Sequence, residues 1–354
     1  MIDLSQLSPM MQHYMETKKE YPDCVLFYRL GDFYEMFFDD ALTVSKELEI
    51  TLTGKDCGLS ERAPMCGVPF HALDSYLYRL VQKGYKVAIA EQMEDPRQAK
   101  GLVKREVIRV VTPGTITSSQ VLDETKNNYL MGIVYMDGIY GISTADISTG
   151  DFMVTEVDSD RELFDEINKF SPSEIICNNA FYMSGVDMDE LKNRYQVVIS
   201  ALDSRFFGEE SCRRILMEHF KVGALVGLGL EDYATGIIAA GAVMQYIYET
   251  QKSTLEHITT ITPYSTGQYM VIDTSTRRNL ELVETMRGKK QKRGTPAVGS
   301  GQDKDSHGRQ AASRLHRTAA DSQGRNHQAP ERGGRAEHEL YFQGRDMRVL
   351  KSHL

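Results

Sequence analysis

The run Gly31-Asp32-Phe33-Tyr34-Glu35 places two aromatic rings and a carboxylate directly after a glycine. The preceding apolar run, Cys24–Leu30, is typical of a buried strand, and a helical pattern extends from about Glu35 to Leu48. Because glycine permits a tight turn, the sequence presents the aromatic pair at an element boundary and not along a buried face. Core packing is the more common use of such a pair, and the helix dipole alone favours a carboxylate at a helix start.

A second group of residues has the chemistry to contact phosphates. Basic side chains recur closely in one stretch, and only Glu106 interrupts them. This stretch is the best candidate in its region for holding a nucleic-acid backbone, and a solvated charged face explains it equally well. Two residues in an earlier loop region, Arg62 and His71, are weaker candidates. The basic stretch consists of Arg97, Lys100, Lys104, Arg105 and Arg109.

Signatures of catalytic and metal sites are absent from the sequence. None of the five cysteines forms a Cys-x-x-Cys pair, so the sequence indicates neither a zinc site nor a disulfide framework, and we expect buried free thiols. The nucleotide-binding pattern of a glycine-rich loop that ends in Gly-Lys-Ser/Thr is also missing, because Gly54-Lys55 is followed by Asp56. We therefore expect no catalytic residues, no cofactor and no metal in this chain.

The aromatic and basic residues belong to a first unit, residues 1–115, in which strands and helices alternate. Ser8-Pro9 opens a helix that runs to about Glu20. This alternation predicts a small mixed α/β domain. Its other expected elements are a short strand near Ile50–Leu52, a loop from Gly54 to Pro69, a helix from about Leu73 to Lys83, and strands at Lys86–Glu91 and Glu106–Val111.

The second unit, residues 116–255, begins with β-rich runs that are separated by hairpin-type turns at Asp137-Gly138 and Thr149-Gly150. Helix and strand patterns then alternate up to a long apolar helix from about Tyr233 to Thr250. Antiparallel strands followed by α/β units match the outline of a ribonuclease-H-like sheet, whose strand order the sequence does not reveal. The expected elements are Tyr129–Met136, Ile139–Ile147, Asp151–Val157, Arg161–Phe170, Glu174–Cys177, Gln196–Ser200 and Glu209–Phe220.

A third unit, residues 256–294, has a strand-like start near Met270 and is followed by an unusual tail. The tail, residues 295–354, contains no isoleucine, two valines and five of the nine histidines, and its apolar residues are too sparse for either periodicity. Reading the codons allowed for Pro296–Gly308 one nucleotide later permits the amphipathic string LLWVLDKTKTAMG. We therefore expect an out-of-frame, disordered tail from about Thr295, and the tag-like run Glu339–Gly344 suggests a cloning origin as a weaker alternative.

The overall composition is that of a soluble globular protein. The chain has 354 residues, of which 41% are hydrophobic and 26% are charged. No run approaches the roughly 18 apolar residues of a membrane span, and Met1–Ser5 has no signal-peptide pattern, so we expect a cytoplasmic protein. The net charge of -9 is concentrated in residues 116–255, which hold 10 Lys and Arg against 22 Asp and Glu.

Several long motifs in fixed order resemble the amino-terminal part of the MutS family of DNA mismatch-repair proteins. The resemblance covers about Leu7 to Arg293, and the shifted string is similar to how the family continues. It implies that the first unit is a mismatch-binding domain, the second a ribonuclease-H-like connector domain, and the third the start of a helical lever or core domain. The motifs are Gly31–Glu35, Pro64–Ala72, Ala90–Pro96, Arg105–Thr115, Thr144–Gly150 and Asp273–Leu282.

The resemblance also implies roles for individual residues. Phe33 would wedge into the minor groove and stack on a mispaired base, and Glu35 would hydrogen-bond that base. Unstacking a base step costs a few kcal/mol and stacking on an aromatic ring returns about 1–3 kcal/mol, so a weakly held base is favoured. The expected DNA-binding residues are Phe33, Glu35, Arg97, Lys100, Lys104 and Arg105.

For the intact family member, the resemblance implies a homodimer that binds mismatched or looped duplex DNA and uses ATP and Mg²⁺ as a DNA-dependent ATPase. The connector domain would contact downstream mismatch-repair proteins. Because this chain has no phosphate-binding loop, we expect a truncated fragment without ATPase activity. Its DNA binding should be weak and sensitive to salt, since one small domain makes few phosphate contacts.

Two other functions are consistent with the residues. A metal-dependent nuclease could draw carboxylates on the ribonuclease-H-like sheet from Asp137, Asp146, Asp151 and Glu156. Against it, Asp137 and Asp151 occupy turn positions, and Asp146 lies in an alternating run where we expect it to face solvent. A protein-interaction module is the other alternative, because the acidity of the second unit suits protein contacts better than DNA contacts.

Overall fold

The computed structural model of the chain describes residues 4–94, 101–117 and 127–266, together with two short strands near the carboxyl end. Those strands, Phe342–Gln343 and Asp346–Met347, pair antiparallel. The predicted start of the third unit near Met270 and the remainder of the predicted tail lie outside the described residues. Among the described residues, no helix has the length and apolar character needed to cross a membrane.

The first unit is built on a six-stranded sheet with helices on both faces. Its mixed α/β architecture confirms the prediction for this unit. The elements are β1 (Cys24–Leu30), β2 (Phe33–Phe37), β3 (Thr53–Lys55), β4 (Ala63–Pro69), β5 (Lys86–Gln92), β6 (Arg105–Val111), α1 (Pro9–Glu20), α2 (Phe38–Leu48) and α3 (Leu73–Gln82). The order across the sheet is β3-β4-β2-β1-β5-β6. Strands β1 and β5 run parallel, and all other neighbouring strands run antiparallel.

Alternate side chains of β1 enter two apolar cores on opposite faces of this sheet. Phe27 packs with Tyr34 and Met36 against α2 and α3, whereas Leu26 and Tyr28 pack against α1. All three of these β1 side chains are fully buried. Burial on both faces is the reason that this strand has a nearly continuous apolar sequence. The strand predicted at these residues is confirmed.

Two predictions for the first unit are wrong. Residues 33–37 form β2 and the helix begins only at Phe38, because Gly31, at φ +59°, closes a tight hairpin that pairs β2 with β1. Residues 54–69 are not one continuous loop, since β3 and β4 extend the sheet beyond β2 and only residues 56–62 connect them. In both places pairing between strands outweighs the local pattern, which for β2 had indicated a helix.

A second six-stranded sheet forms the second unit, and its last strand, at residues 262–263, extends this unit beyond the predicted boundary at residue 255. Its order is β11-β10-β7-β8-β9-β12, where β7, β8 and β9 are an antiparallel meander and β10 and β11 are added in parallel beside β7. This is the ribonuclease-H-like arrangement, so the predicted fold class is confirmed. The strands are β7 (Tyr129–Met136), β8 (Ile139–Asp146), β9 (Asp151–Val157), β10 (Glu174–Cys177), β11 (Val198–Ala201) and β12 (Thr262–Pro263).

Helices pack on both faces of the second sheet. The apolar helix α8 (Ala234–Gln251) lies on one face, with Ala240 and Val243 fully buried, and α4 (Asp160–Phe170) covers the other with Leu163. The long helix predicted over Tyr233–Thr250 is therefore confirmed within one residue at each end. The remaining helices are α5 (Asn179–Tyr182), α6 (Met188–Tyr195) and α7 (Glu209–Phe220).

The carboxyl end of α8 contacts the first unit. The ammonium group of Lys252 donates hydrogen bonds to the Tyr21 hydroxyl at 2.6 Å and to the Val107 carbonyl at 3.0 Å. The side-chain amide of Gln251 donates to the Thr115 carbonyl at 2.9 Å. The two units are therefore held together by side chains as well as by the connecting chain.

All five cysteines are buried and free, as predicted. Removal from water disfavours the thiolate, and burial raises the pKa of each of the Cys66, Cys177 and Cys212 thiols to about 12. These thiols pack as small apolar groups in the cores.

Candidate nucleic-acid interface

The hairpin that joins β1 to β2 carries an exposed aromatic ring. Leu30 pairs with Phe33 across the turn at Gly31. Phe33 has 46% of its surface exposed, whereas its neighbour Tyr34 is 4% exposed. Because successive strand residues point to opposite faces, the hairpin directs Tyr34 into the core and leaves Phe33 at the rim of the sheet. A large exposed ring at a rim is available to stack on a flat ligand.

Glu35 lies two residues further along β2, on the same face as Phe33. Its carboxylate accepts a hydrogen bond from the ammonium group of Lys55 on β3 at 2.5 Å. The Glu35 side chain is 15% exposed and that of Lys55 is 34% exposed. The Lys55 ammonium also lies 5.7 Å from the centre of the Phe37 ring. The charge of Glu35 is thus balanced by a cation that a ligand in solvent can reach.

Strand β4 leaves space for both of these side chains. Gly67 is the cross-strand partner of Glu35, and Pro69 is that of Phe33. A Cβ atom at Gly67 would lie 3.3 Å from the Tyr34 carbonyl oxygen and 3.5 Å from Cγ of Glu35. The absence of a side chain at Gly67 therefore allows Glu35 to lie across β4.

A second exposed ring, Phe70, follows β4 and lies beside the same hairpin. Its backbone amide donates to the Asp32 carbonyl at 2.9 Å, and its side chain is 43% exposed. The guanidinium carbon of Arg29 lies 4.1 Å from the centre of the Phe70 ring, while His71 packs edge-on against that ring. The sequence alone indicates no role for Phe70 or Arg29, because only the pairing of β4 with β2 brings them to this turn.

A partly buried hydrogen bond holds the hairpin against the centre of the sheet. The Tyr34 hydroxyl on β2 donates to the carboxylate of Glu91 on β5, and Arg29 on β1 pairs with the same carboxylate at 3.4 Å. Burial, together with the Glu91 carboxylate, raises the pKa of Tyr34, so its hydroxyl remains a donor. The strand that carries Phe33 is in this way connected to β5 across β1.

The predicted basic stretch is only partly described by the structure. Arg97 and Lys100 lie outside the described residues. Lys104 has a 67% exposed side chain and pairs with Glu106 at 2.5 Å. An exposed pair of this kind is screened by water and leaves Lys104 accessible to a phosphate.

Arg105 is buried, which corrects its assignment as a phosphate contact. Only 6% of its surface is exposed. Its Nε donates to the Arg29 carbonyl and its Nη1 to the Val103 carbonyl, both at 2.7 Å, and the guanidinium carbon lies 5.2 Å from the centre of the Tyr28 ring. The donors of Arg105 are thus used within the first unit.

Arg109 is also committed to contacts within the protein. Its Nη2 donates to the Thr115 carbonyl at 3.3 Å and to the Thr117 hydroxyl at 3.1 Å. Burial lowers the pKa of Arg109. The weaker candidates Arg62 and His71 are exposed.

Asp146, a carboxylate considered for a nuclease site, is a buried structural residue. The expectation that it faces solvent is wrong, because it is 0% exposed. Its oxygens accept hydrogen bonds from the Asn127 amide at 3.0 Å, the Asn128 backbone at 3.1 Å, and the backbone and hydroxyl of Ser148 at 2.9 and 2.6 Å. These donors stabilise the turn that follows β8.

Glu156, another of those carboxylates, serves the amino end of α8. One oxygen accepts hydrogen bonds from the backbone amides of Thr235 at 2.6 Å and Gly236 at 2.8 Å. Such amides have no partner within a helix and favour a negative charge. In the part of the chain that the structure describes, no three His, Cys, Asp or Glu residues form a group able to hold a metal ion.

Two protein-family models match the chain, one for each unit. The family model described as MutS domain I matches residues 8–120, and the model described as MutS domain II matches residues 128–259. Together these matches include both sheets, apart from the last short strand of the second.

Curated relatives give the same result over a longer region. Three proteins named DNA mismatch repair protein MutS each align over 292 residues, which is 82% of this chain. The relative from Lachnoclostridium phytofermentans is 62% identical, that from Acetivibrio thermocellus 53% and that from Ruminiclostridium cellulolyticum 50%. The chain spans about a third of the length of these relatives, between 31% and 33%.

Proposed function

The chain belongs to the MutS family of DNA mismatch-repair proteins, and from this membership we propose that it recognises mispaired or unpaired bases in duplex DNA. One observation carries the proposal: Phe33 is exposed at the rim of the first sheet, on the same face as Glu35. The ring enters the minor groove and stacks on a base at a step that deforms easily.

Selectivity in this proposal comes from the deformability of the DNA. Wedging a side chain between base steps costs a few kcal/mol, and stacking of a base on the ring returns about 1–3 kcal/mol. A mispaired base is already weakly held, so the cost falls at that step while the return stays similar. A difference of about 2–3 kcal/mol corresponds to roughly a 30- to 150-fold preference.

Glu35 contacts the stacked base in this proposal by accepting a hydrogen bond from a base N–H or by donating one when protonated. Its ion pair with Lys55 supports such a role, because a phosphate that approaches the exposed ammonium group competes for it. As Lys55 moves toward the phosphate, the Glu35 carboxylate becomes free to contact the base.

The phosphate contacts that position the wedge are proposed for Lys104, with Arg97 and Lys100 as further candidates outside the described residues. The exposure of Lys104 supports this assignment. Arg105 is left out of the proposed interface because its guanidinium group is buried and hydrogen-bonded. With so few contacts, binding by this chain should weaken steeply as salt is raised.

The test compares the chain with its Phe33→Ala variant on matched and singly mismatched duplexes of the same length. Fluorescence anisotropy gives both affinities, and we expect the mismatch preference to fall about tenfold or more with the wedge removed. Leu42→Ala is a matched control, since Leu42 on α2 is 47% exposed and lies outside the proposed interface. An unchanged preference in the Phe33→Ala chain would reject the proposal.

For a full-length protein of this family, we propose a cytoplasmic homodimer with ATPase activity that binds ATP and Mg²⁺ outside the region matched here. The relatives extend far beyond that region, which supports this placement. Residues 116–255 carry 10 basic against 22 acidic side chains, which favours the second unit as the part that contacts other repair proteins.

A further inference from the structure

Glu174, the first residue of β10, is a buried carboxylate at the junction between the two units. It is 0% exposed. A buried carboxylate is stable only when hydrogen bonds or opposite charges replace the water that it loses. The partners of Glu174 therefore show what this residue holds together.

One oxygen of Glu174 faces the segment that leaves the first sheet. Oε2 accepts a hydrogen bond from the Thr112 hydroxyl at 2.5 Å and another from the Gly114 backbone amide at 3.1 Å. Thr112 and Gly114 follow directly after β6 and are themselves buried. The carboxylate thus anchors the chain at the point where the first unit ends.

The other oxygen of Glu174 lies between elements of both units. Oε1 accepts from the hydroxyl of Tyr246 on α8 at 2.7 Å, and the ammonium group of Lys86 on β5 lies 3.9 Å away. The same ammonium group lies 5.6 Å from the centre of the Tyr246 ring. The four polar partners of this carboxylate each donate a hydrogen bond or carry a positive charge, which suits a group that only accepts.

The connecting segment is packed too closely against Glu174 to move independently. A Cβ atom at Gly114 would lie 3.0 Å from the Cβ atoms of both Glu174 and Leu130. Asn128 adds a second attachment, since its amide donates to the Pro113 carbonyl at 3.0 Å. The segment therefore has one well-packed position on the second sheet.

We infer that Glu174 is the positioning residue that fixes the orientation of the first unit on the second. It is a single group that contacts the first sheet through Lys86, the connecting segment through Thr112 and Gly114, and the second unit through Tyr246. The direction in which Phe33 faces relative to the second unit follows from this orientation. Only that last consequence rests on the proposed function.

Replacing Glu174 by glutamine tests this role with almost no change in shape. A glutamine side chain has one acceptor oxygen and one donor NH2 group. Its NH2 group must face either the side of Gly114 or the side of Lys86, and in both cases it opposes a group that can only donate, the Gly114 amide or the Lys86 ammonium group. Breaking one side of a buried charged network in this way destabilises that network strongly.

Glu166→Gln is the matched control because Glu166 is a buried carboxylate whose partners all lie within the second unit. It is 5% exposed, accepts a hydrogen bond from the Tyr264 hydroxyl, and pairs with Lys169 at 3.3 Å. It therefore combines a tyrosine and a lysine partner as Glu174 does, but does not bridge the units. Thr112→Val is a second test variant that removes one donor to Glu174 and leaves the carboxylate in place.

The measurement is the distance distribution between spin labels on cysteines introduced at Lys46 and Arg214 in the full chain. Lys46 is exposed on α2 of the first unit, and the Arg214 side chain is 71% exposed on α7 of the second. The native cysteines are all buried, so the labels attach at the introduced positions. Hydrogen exchange of the Gly114 amide, followed by NMR, is the second readout.

We expect one narrow distance distribution for the unsubstituted chain and for Glu166→Gln, and broader distributions for Glu174→Gln and Thr112→Val. The Gly114 amide should exchange about tenfold faster in Glu174→Gln and at an unchanged rate in Glu166→Gln. A narrow distribution in Glu174→Gln, or equal broadening in Glu166→Gln, would overturn the inference. Neither readout involves DNA, so failure of Phe33 to recognise mismatches would leave this result unaffected.

Discussion

At the scale of single residues, Phe33 and Tyr34 are adjacent rings with opposite environments. The alternation of β2 buries Tyr34, whose hydroxyl donates to Glu91, and leaves Phe33 46% exposed. Both side chains are large aromatic groups, so size and aromatic character alone do not decide which one is buried. The position of each ring after the turn at Gly31 decides which one can meet a base.

Two adjacent basic residues should respond differently to the same substitution. Arg105→Met removes the donors to the Arg29 and Val103 carbonyls, and we expect the free energy of unfolding to fall by about 1–3 kcal/mol. Lys104→Met, at a 67% exposed side chain, should change that free energy by less than about 0.5 kcal/mol. Denaturant titrations of the two variants measure both values.

The same two variants separate structural from DNA-contacting cations. We expect Lys104→Met to reduce the slope of log affinity against log salt by about one, because one phosphate contact is lost. Arg105→Met should leave that slope unchanged. Full stability together with a reduced slope in Arg105→Met would return Arg105 to the interface.

At the scale of elements, the amino end of α8 depends on a residue from a neighbouring strand. Glu156 on β9 accepts from the amides of Thr235 and Gly236, which the helix itself cannot satisfy. The side chain of Tyr233, the residue that precedes the helix, does not cap these amides. The most buried helix of the second unit therefore begins at a contact made by the sheet.

Removing the contact between Glu156 and the amino end of α8 should destabilise the fold. We expect Glu156→Ala to lower the free energy of unfolding by about 1–2 kcal/mol, in the range of a lost helix cap. Glu156→Gln keeps an acceptor oxygen and should retain most of the stability. Thermal unfolding of the two variants provides the comparison, and equal stability of Glu156→Ala and the unsubstituted chain would contradict it.

At the scale of the whole molecule, two sheets with separate cores are joined through a few specific contacts. Lys252 and Gln251 attach the end of α8 to the first unit, and Glu174 holds the connecting segment. The apolar cores on either side of this junction contain every cysteine of the chain.

The buried thiols predict that stability falls at alkaline pH. Burial raises the pKa of Cys66, Cys177 and Cys212 from 9.0 to about 12, so the folded state disfavours the thiolate. Their contribution is complete below pH 9 and decreases above it, by about 1.4 kcal/mol per pH unit for each thiol. Unfolding measured at pH 8 and pH 10.5 tests this, and a thiol-specific reagent should react at pH 8 only with unfolded chains. Rapid reaction of the folded chain would contradict the expectation.

Much of the second sheet follows from the sequence because its first strands are runs rich in β-forming residues that are separated by turn residues. The strands Tyr129–Met136 and Asp151–Val157 have the predicted bounds. The order of strands does not follow, since it depends on contacts between distant segments. The hydrogen bond from Thr112 to Glu174, at the start of β10, shows how distant such contacts are, since these residues lie 62 positions apart in the sequence.

In the candidate interface, the sequence motifs predict roles for Phe33 and Glu35 but do not reveal the residues around them. Lys55 and Gly67 come from strands β3 and β4, in a region whose glycine and proline residues indicate a loop. Pairing with β2 makes that region a sheet edge. The burial of Arg105 also cannot be predicted from the sequence, because its hydrogen-bond acceptors are backbone carbonyl groups, which every residue type has.

The placement of β2 between β1 and β4 has a mechanical consequence. In the proposed interface, the Phe33 ring yields little when it presses on a base pair, because β2 is hydrogen-bonded to a neighbouring strand on each side. Compliance must then come from the double helix. We therefore expect the affinity for different mismatches to follow how readily each mismatched DNA bends in the absence of protein, and not how well the ring adapts to the shape of the mismatch.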